Sequence, residues 1–452
     1  MGLGYMGLAT GLAFAGHGLA VIGYDIDPAI RSSVSRGKIP FHEAGLEPLL
    51  KSQLQNGRFR VVDSVRKLCE VAEGIFLCVP TPSQRNGSID LRPVQRSAEE
   101  VGDSLRAAEG RRLVVVKSSV VPGTTESVVA PIVYRRSGRS ARQIGVGCNP
   151  EFLAEGRMVD DALHPSRIVI GTNDSVSSSW LRRVYRPFRA PIFNLTPAGA
   201  ELVKYAANTF LALKISYANE VARIADRIGA NVDAVMAAVG HDPRIGQQFL
   251  AAGPGFGGSC FEKDLKALMK CSSEFGVRLR TGETALIVNA EQLAYSLNLI
   301  RAVASPLSGK QVCLLGLSFK AGTDDVRETR ALGIARALLD SGAKVRGHDP
   351  VSIEPFRRLW LRHYRGDSEA IQLFPTVEKA LKDADVAVLQ ADWPLYRRWS
   401  PAWSQLMRRP LVVDLRRALD PRKARVLGLT LVGLGAGNIR GAGAQDSQKV
   451  LS

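Results

Sequence analysis

The stretch FLAAGPGFGGSCFEKDL (249–265) carries the residue type best suited to covalent chemistry. Its glycines let backbone approach a ligand closely, and Cys260 sits where a helical pattern begins. A thiol there meets the partial positive charge of a helix N-terminus, and Lys263 adds a nearby cation. Both favour the thiolate, which is the nucleophile. Asp264 falls one helical turn beyond Cys260 on the same face. The plain alternative, a structural cysteine in an apolar core, fits a glycine-rich loop poorly.

Two further groups could serve such a nucleophile. Lys204 and Asn208 lie four residues apart on an alanine-rich helical stretch, where they could hold an oxyanion or a water, or form a solvated helix edge. In NPEFLAEG (149–156), Glu151 and Glu155 follow a strand end, where α/β enzymes place ligand contacts; either could instead cap a turn. At the start of the chain, Gly2, Gly4 and Gly7 give G-x-G-x-x-G, with Tyr5 and Met6 between the last two. That spacing suits a pyrophosphate at a helix N-terminus. The next strand pattern ends in Asp25, about twenty residues on, where a carboxylate can bind ribose hydroxyls and repel a 2′-phosphate, favouring NAD over NADP.

The elements that must position these residues alternate. LAVIGYDID (19–27), GIFLCVPTP (74–82), RLVVVKSSV (112–120) and IGVGCNPEF (144–152) read as buried strands running into turns, with helices such as 94–108 between them. This predicts βαβ units and a parallel sheet. Residues 192–229 then form one long helical pattern, followed by helices over 261–276 and 284–303. Alternation returns with strand patterns at 310–319, 343–350, 385–392 and 410–416. The Gly- and Ala-rich end reads as a disordered tail. The expected organisation is a nucleotide-binding α/β domain over 1–195, a helical spine over 196–304, a second α/β domain over 305–430 and a tail over 431–452.

Composition narrows the class. The 452 residues, 45% hydrophobic and 23% charged, are those of a globular protein of two or three domains. No apolar run of about eighteen residues predicts a transmembrane helix. The six cysteines show no zinc spacing and no paired framework, which predicts reduced thiols in a cytoplasm and no metal site. The net charge of +17 raises nucleic-acid binding, but the basic residues are dispersed, and the dense stretches 135–143 and 356–365 carry no RNA-binding signature. Nucleic acid is not the expected partner.

With these motifs in view, the chain resembles the UDP-glucose 6-dehydrogenase family of nucleotide-sugar dehydrogenases. GLGYMGL, FLCVPTP, VVVKSSVVPGTT, NPEFLAEG, ELVKYAANTFLALKISYANE, DPRIG, GFGGSCFEKDL and LSFKAGTDDVRE follow one another in the family's order from Gly2 to about residue 420. The resemblance implies an N-terminal Rossmann domain for NAD, a helical dimerisation spine and a Rossmann-like domain for UDP. It also implies four-electron oxidation of a sugar C6 alcohol to a carboxylate, with polysaccharide precursors as the metabolic setting. Cys260 would form a thiohemiacetal and then a thioester, Lys204 and Asn208 would stabilise the oxyanion, and Asp264, Glu151, Glu155 and Ser119 would serve the water and the nicotinamide. Thr81, Asp25, Lys263, Arg327, Ser119, Glu155 and the glycine loop match cofactor contacts.

The sugar nucleotide would meet Phe152, Leu153, Ala154 and Glu155. Phe249, Leu250, Ala251, Ala252, Gly253, Gly257 and Lys320 match further substrate contacts, and Arg416 lies near a substrate arginine. Arg244 matches a residue that reaches the neighbouring subunit's site. UDP-glucose ranks first as substrate, ahead of GDP-mannose and UDP-N-acetyl-hexosamines; an inactive nucleotide- or nucleic-acid-binding protein is the remote alternative. Departures include Ser119 for threonine, Glu262 for proline, Ala44 for proline and Leu415 for glycine. Family members also carry an apolar strand of about four to eight residues before the glycine loop. The expectation is therefore a missing first strand and a native start upstream of Met1.

Overall fold

The structure, a computed structural model, describes residues 1–365 and 370–437. Its internal contacts form two compact units, Met1–Ala207 with Lys266–Leu279, and Asn208–Leu265 with the chain from Arg280 onward. The helical region expected as a separate spine is thus shared between the units by compactness. Among the described residues, no helix is long and apolar enough to cross a membrane.

The first unit holds β1 (Val21–Gly23), β2 (Phe59–Val61), β3 (Gly74–Leu77), β4 (Arg112–Val116), β5 (Ile144–Cys148), β6 (Ile168–Thr172) and β7 (Ile192–Leu195). β1 and β2 pair in parallel as a two-stranded sheet, and β3-β4-β5-β6-β7 make a five-stranded sheet with only β5–β6 antiparallel. The second unit holds β8 (Gln311–Leu315), β9 (Lys344–His348), β10 (Ile371–Leu373), β11 (Val386–Leu389), β12 (Leu411–Asp414) and β13 (Thr430–Gly433). They form one parallel sheet in the order β10-β9-β8-β11-β12-β13. That is the Rossmann order 3-2-1-4-5-6. Strands such as β4, β11 and β12 are buried on both faces and so read as continuous apolar runs.

The two units build their first turn in the same way. In the second, Gly316 N–H donates to His348 O at 2.9 Å and Gln390 N–H to Leu315 O at 2.9 Å. The carboxylate of Asp349 accepts from Leu317 N–H at 2.8 Å. In the first unit, Gly2 N–H donates to Tyr24 O at 2.8 Å and Cys78 N–H to Met1 O at 2.8 Å. Asp25 accepts from Leu3 N–H at 2.7 Å. Met1 therefore stands where Leu315 ends β8. Among the described residues, Met1 and Gly2 join β1 to β3: Gly2 bonds Tyr24, and Met1 accepts from Cys78 N–H and donates to Phe76 O at 2.8 Å.

Three expectations need correction. The long helical pattern does not start at 192: Ile192–Leu195 is β7, and the helix runs Pro197–Ile228. Thr196 Oγ1 accepts from Gly199 N–H at 3.2 Å, and proline stands at the first helical position, two signals that start a helix sharply. The tail does not begin at 431, because β13 pairs with β12 and Leu434 is fully buried. Asp226 then holds Gly435 N–H at 2.9 Å and Gly437 N–H at 3.1 Å; residues 438–452 lie outside the described ones. Finally, the sequence pattern does not predict β2, β6, β7, β10 and β13; β2, β7, β10 and β13 are short and partly exposed, whereas β6 is a buried strand.

Some of the arginines serve the fold. Arg139 reaches Leu105 O at 3.2 Å and Ala108 O at 2.7 Å, and Arg106 reaches Arg136 O at 3.0 Å. Guanidinium groups thus satisfy the carbonyls left open at helix ends. One consequence of the shared turn can be measured. Asp349 accepts from the backbone N–H groups of Leu317, Ser318, Val351 and Ser352, and from Ser318 Oγ and Trp393 Nε1. Asp349→Ala should lower stability to urea by about 3 kcal/mol or more, followed by tryptophan fluorescence. Asp349→Asn should recover part of it; an unshifted midpoint for Asp349→Ala would contradict this account.

Candidate active site

In the first unit the glycine loop fits a dinucleotide on its own geometry. Gly2 has φ +87°, and a Cβ there would lie 2.5 Å from Cys78 O; a Cβ on Gly7 would lie 1.9 Å from Gly2 O. Both positions require glycine. Gly4, the residue before helix Tyr5–Gly16, has nothing within 4 Å of where a Cβ would stand. No side chain caps this helix, so its N-terminal N–H groups open onto a face where a phosphate can approach. Tyr5 stacks on Phe41 at 3.9 Å beside a half-buried Met6. Thr81 and Ser119 follow the C-terminal ends of the adjacent strands β3 and β4, the edge where α/β sheets take ligands.

Asp25 is first of all a loop anchor. Its oxygens accept from Leu3 N–H and, at 2.9 Å, from Asp27 N–H, which leaves outer lone pairs for ribose hydroxyls.

The Lys204 ammonium contacts Glu151 Oε1 at 2.7 Å, with side chains 5% and 11% exposed. The solvated-edge reading of Lys204 is thereby excluded. Leu153 N–H binds the other Glu151 oxygen at 2.6 Å. Burial alone would raise the Glu151 pKa. Lys204, the Leu153 hydrogen bond and the charge of Lys117 outweigh it and hold the carboxyl below its ordinary value. Phe152 lies beneath the Arg167 guanidinium at 3.8 Å. Glu155 and Ala154 are half-buried in the following turn, and Glu43 fixes that turn by accepting from Gly156 N–H and Met158 N–H, both at 2.8 Å.

In the second unit the cysteine loop is held by side chains from distant segments. Asn219 accepts from Gly253 N–H at 2.8 Å, and Gln292 donates to Gly253 O at 2.8 Å. Asn289 grips Phe256 twice, accepting from its N–H at 2.7 Å and donating to its O at 3.1 Å, and Arg330 adds a bond to the same oxygen at 2.7 Å. The signal was present as polar residues inside the apolar pattern of helix Arg280–Ala304, but their partners lie far along the chain. Gly257 touches the backbone of Glu328 so closely that a Cβ would lie 2.3 Å from its oxygen.

Cys260 emerges from this loop exposed, just before helix Phe261–Glu274. Asp264, 1% exposed, accepts from Asn208 Nδ2 at 2.7 Å and from the Lys263 ammonium at 2.5 Å. The cation of Lys263 is therefore paired with Asp264. Arg416 Nε donates to Gln390 O at 2.6 Å, and its guanidinium lies against Gly253. Phe249 takes φ +64°, and Leu250 and Ala252 are buried beside an exposed Ala251. Lys320 lies over Phe319 at 5.5 Å. Arg327 pairs with Asp325 at 2.7 Å and Arg244 with Asp242 at 2.6 Å, both side chains reaching outward at 56% and 87% exposure.

Family models cover the chain in three successive parts. They are the NAD binding domain of the UDP-glucose/GDP-mannose dehydrogenase family over residues 1–189, its central domain over 198–291 and its UDP binding domain over 313–421. The chain belongs to this family. As a UDP-glucose/GDP-mannose dehydrogenase family member it is 37% identical to the UDP-glucose 6-dehydrogenase of Rhizobium meliloti, over 92% of this chain and 94% of that one. The solved UDP-glucose dehydrogenase of the archaeon Pyrobaculum islandicum matches with TM-score 0.87 and 39% identity, over 96% of both chains. The UDP-D-ManNAc dehydrogenase structure from Pyrococcus horikoshii matches with TM-score 0.81 and 27% identity, over 96% of this chain and 98% of that one. The family is thus one of NAD-dependent nucleotide-sugar dehydrogenases, with the Rossmann architecture seen in both units.

The thiols can be told apart. Cys69, Cys78, Cys148, Cys271 and Cys313 are buried, and burial pushes Cys69 up to about 12 and raises the other four. Iodoacetamide applied to the native protein near neutral pH should label a single thiol, located at Cys260 by peptide mass mapping. Labelling that persists unchanged in Cys260→Ala would refute the assignment.

Proposed function

We propose that the chain oxidises UDP-glucose to UDP-glucuronate in two successive hydride removals, through a thiohemiacetal and a thioester on Cys260. The observation that carries this reading is that Cys260 is the exposed thiol at a helix N-terminus, one turn ahead of the buried Asp264–Asn208 pair. A covalent link retains the aldehyde while the cofactor is exchanged, which an alcohol dehydrogenase lacking the thiol cannot do. NAD⁺, when bound, supplies the hydride acceptor for both oxidations. Gly2, Gly4, Gly7 and Asp25 would hold it, with Tyr5, Met6, Thr81, Lys263 and Arg327 as further contacts. Ser119 and Glu155 would stand near the nicotinamide and the water.

Lys204 carries the positive charge that a developing oxyanion needs, and Asn208 adds a donor. Glu151 is an ionised carboxylate able to accept a proton, and Asp264 orients the water that opens the thioester. The sugar nucleotide would lie along Phe152–Glu155, Phe249–Gly253 and Gly257, with Lys320 and Arg416 toward its phosphates. GDP-mannose and UDP-N-acetyl-hexosamines are the competing substrates.

Phe210, Tyr217 and Ile224 stand exposed at seven-residue spacing on helix Pro197–Ile228. An apolar stripe of this kind supports a homodimer through that helix, with Arg244 reaching the partner's site. The six free cysteines support a reducing, cytoplasmic setting.

Absorbance assays with NAD⁺ and each sugar nucleotide test the reading. UDP-glucose should give two NADH per sugar, and Cys260→Ala should lower the rate by about 1,000-fold or more. Turnover of GDP-mannose alone would overturn the substrate assignment. Light scattering should give a dimer that Tyr217→Glu dissociates; a monomeric parent would remove the dimer.

A further inference from the structure

One buried cation in the first unit is not used by the chemistry above. Lys117, the residue after β4, is 5% exposed. Its ammonium donates to Asn149 Oδ1 at 2.9 Å, to Asn149 O at 3.3 Å and to the Tyr185 hydroxyl at 3.4 Å. All three acceptors are neutral oxygens. An ammonium buried without a carboxylate in contact is costly, so its amine form is close at hand.

Its surroundings connect it with the reaction. Asn149 stands two residues before Glu151 on the same strap, and its Nδ2 donates to Val169 O at 2.7 Å, so the strap is fixed at the lysine. Burial pulls the Lys117 ammonium down to about 8; Cys78 and Glu151 oppose that, and Lys204 adds to it. On the other side lies a solvent-open cavity of about 170 Å³, whose lining includes Lys117, Asn149, Glu151 and Tyr185. The other titratable groups facing it are Arg157, Asp160, Asp161, His164 and Arg167.

We propose that Lys117 is the proton carrier of the oxidation, taking up protons released at Glu151 and delivering them to this cavity and thence to solvent. The inference rests on the reading that Glu151 takes part in the reaction. The balance requires an exit. Each hydride taken by NAD⁺ leaves a proton behind, from the alcohol in the first oxidation and from the thiohemiacetal hydroxyl in the second. Hydrolysis consumes one water, restores the thiol and gives an acid that releases one more proton. Neutral Lys117 accepts each proton as an ammonium and returns to the amine by protonating water in the cavity.

The test is the pH dependence of NADH formation from UDP-glucose at saturating NAD⁺. In the parent, kcat should rise with pH through an ionisation near 8, because only the neutral amine accepts a proton. Lys117→Met and Lys117→Arg should both lack that rise and fall about tenfold or more below the parent on the alkaline side, with KM for UDP-glucose within about threefold. Tyr185→Phe keeps the lysine but removes one acceptor of its ammonium and the hydroxyl that donates to Asn149 Oδ1, so the midpoint of the rise should move. A merely structural lysine would lower thermal stability and leave the limb in place. A parent-like limb in Lys117→Arg, or an unmoved limb in Tyr185→Phe, overturns the proposal. Glu151→Gln separates the two readings: full activity there removes the role of Glu151 itself, whereas its loss beside unchanged Lys117 and Tyr185 variants removes only the relay.

Discussion

Buried polar side chains along one helix are the constraint on which the rest depends. Helix Pro197–Ile228 carries Glu201, Lys204, Asn208, Ser216, Asn219 and Asp226, all buried. Each bonds to a different segment of its own unit. Glu201 accepts from Gly123 N–H at 2.6 Å and Thr125 N–H at 2.8 Å, and Lys204 meets Glu151. Asn208 meets Asp264, Ser216 donates to Ala285 O, Asn219 holds Gly253 and Asp226 holds Gly435. A buried polar group without its partner costs about 1–3 kcal/mol, and a buried charge more. The loops that carry chemistry are therefore tethered at specific points rather than left to find their own places.

A second device is the carboxylate that closes a strand–turn–helix unit. Asp25 and Asp349 each accept from the N–H just after a left-handed glycine, Gly2 or Gly316. In the second unit the turn follows a complete strand within a six-stranded sheet. In the first it follows Met1 alone, yet the loop geometry is the same. What differs is the sheet, whose β1–β2 pair is joined to β3 through Met1 and Gly2.

The charge of +17 looks different once the arginines are placed. In the basic stretch 135–143, Arg139 reaches helix-end carbonyls and Arg136 pairs with Asp103. A count of charges cannot distinguish a guanidinium that closes a helix from one that waits for a polyanion. Where basic groups do gather beside chemistry, at Lys117 and Lys204, they are few and buried.

Much of the fold and the site was legible in the sequence. Apolar runs β4, β8, β11 and β12, the glycine spacing and the cysteine loop identify an α/β nucleotide-binding chain with a nucleophile, because these signals are local: periodicity, sterics and helix-start chemistry act within a few residues. Lys204, Asn208 and Glu151 could be picked out by type and spacing, but whether Lys204 was solvated or buried could not. The tertiary structure decided that, and it decided which carboxylate answers which cation: Glu151 takes Lys204, while Lys263 answers Asp264 beside the thiol it was expected to activate. It also brought out Asn289, Gln292, Arg330 and Lys117, whose partners lie tens of residues away along the chain. Hydrogen bonds and burial between distant segments leave no periodic trace, so residue identity fixes what each side chain can do and only the folded chain fixes with whom.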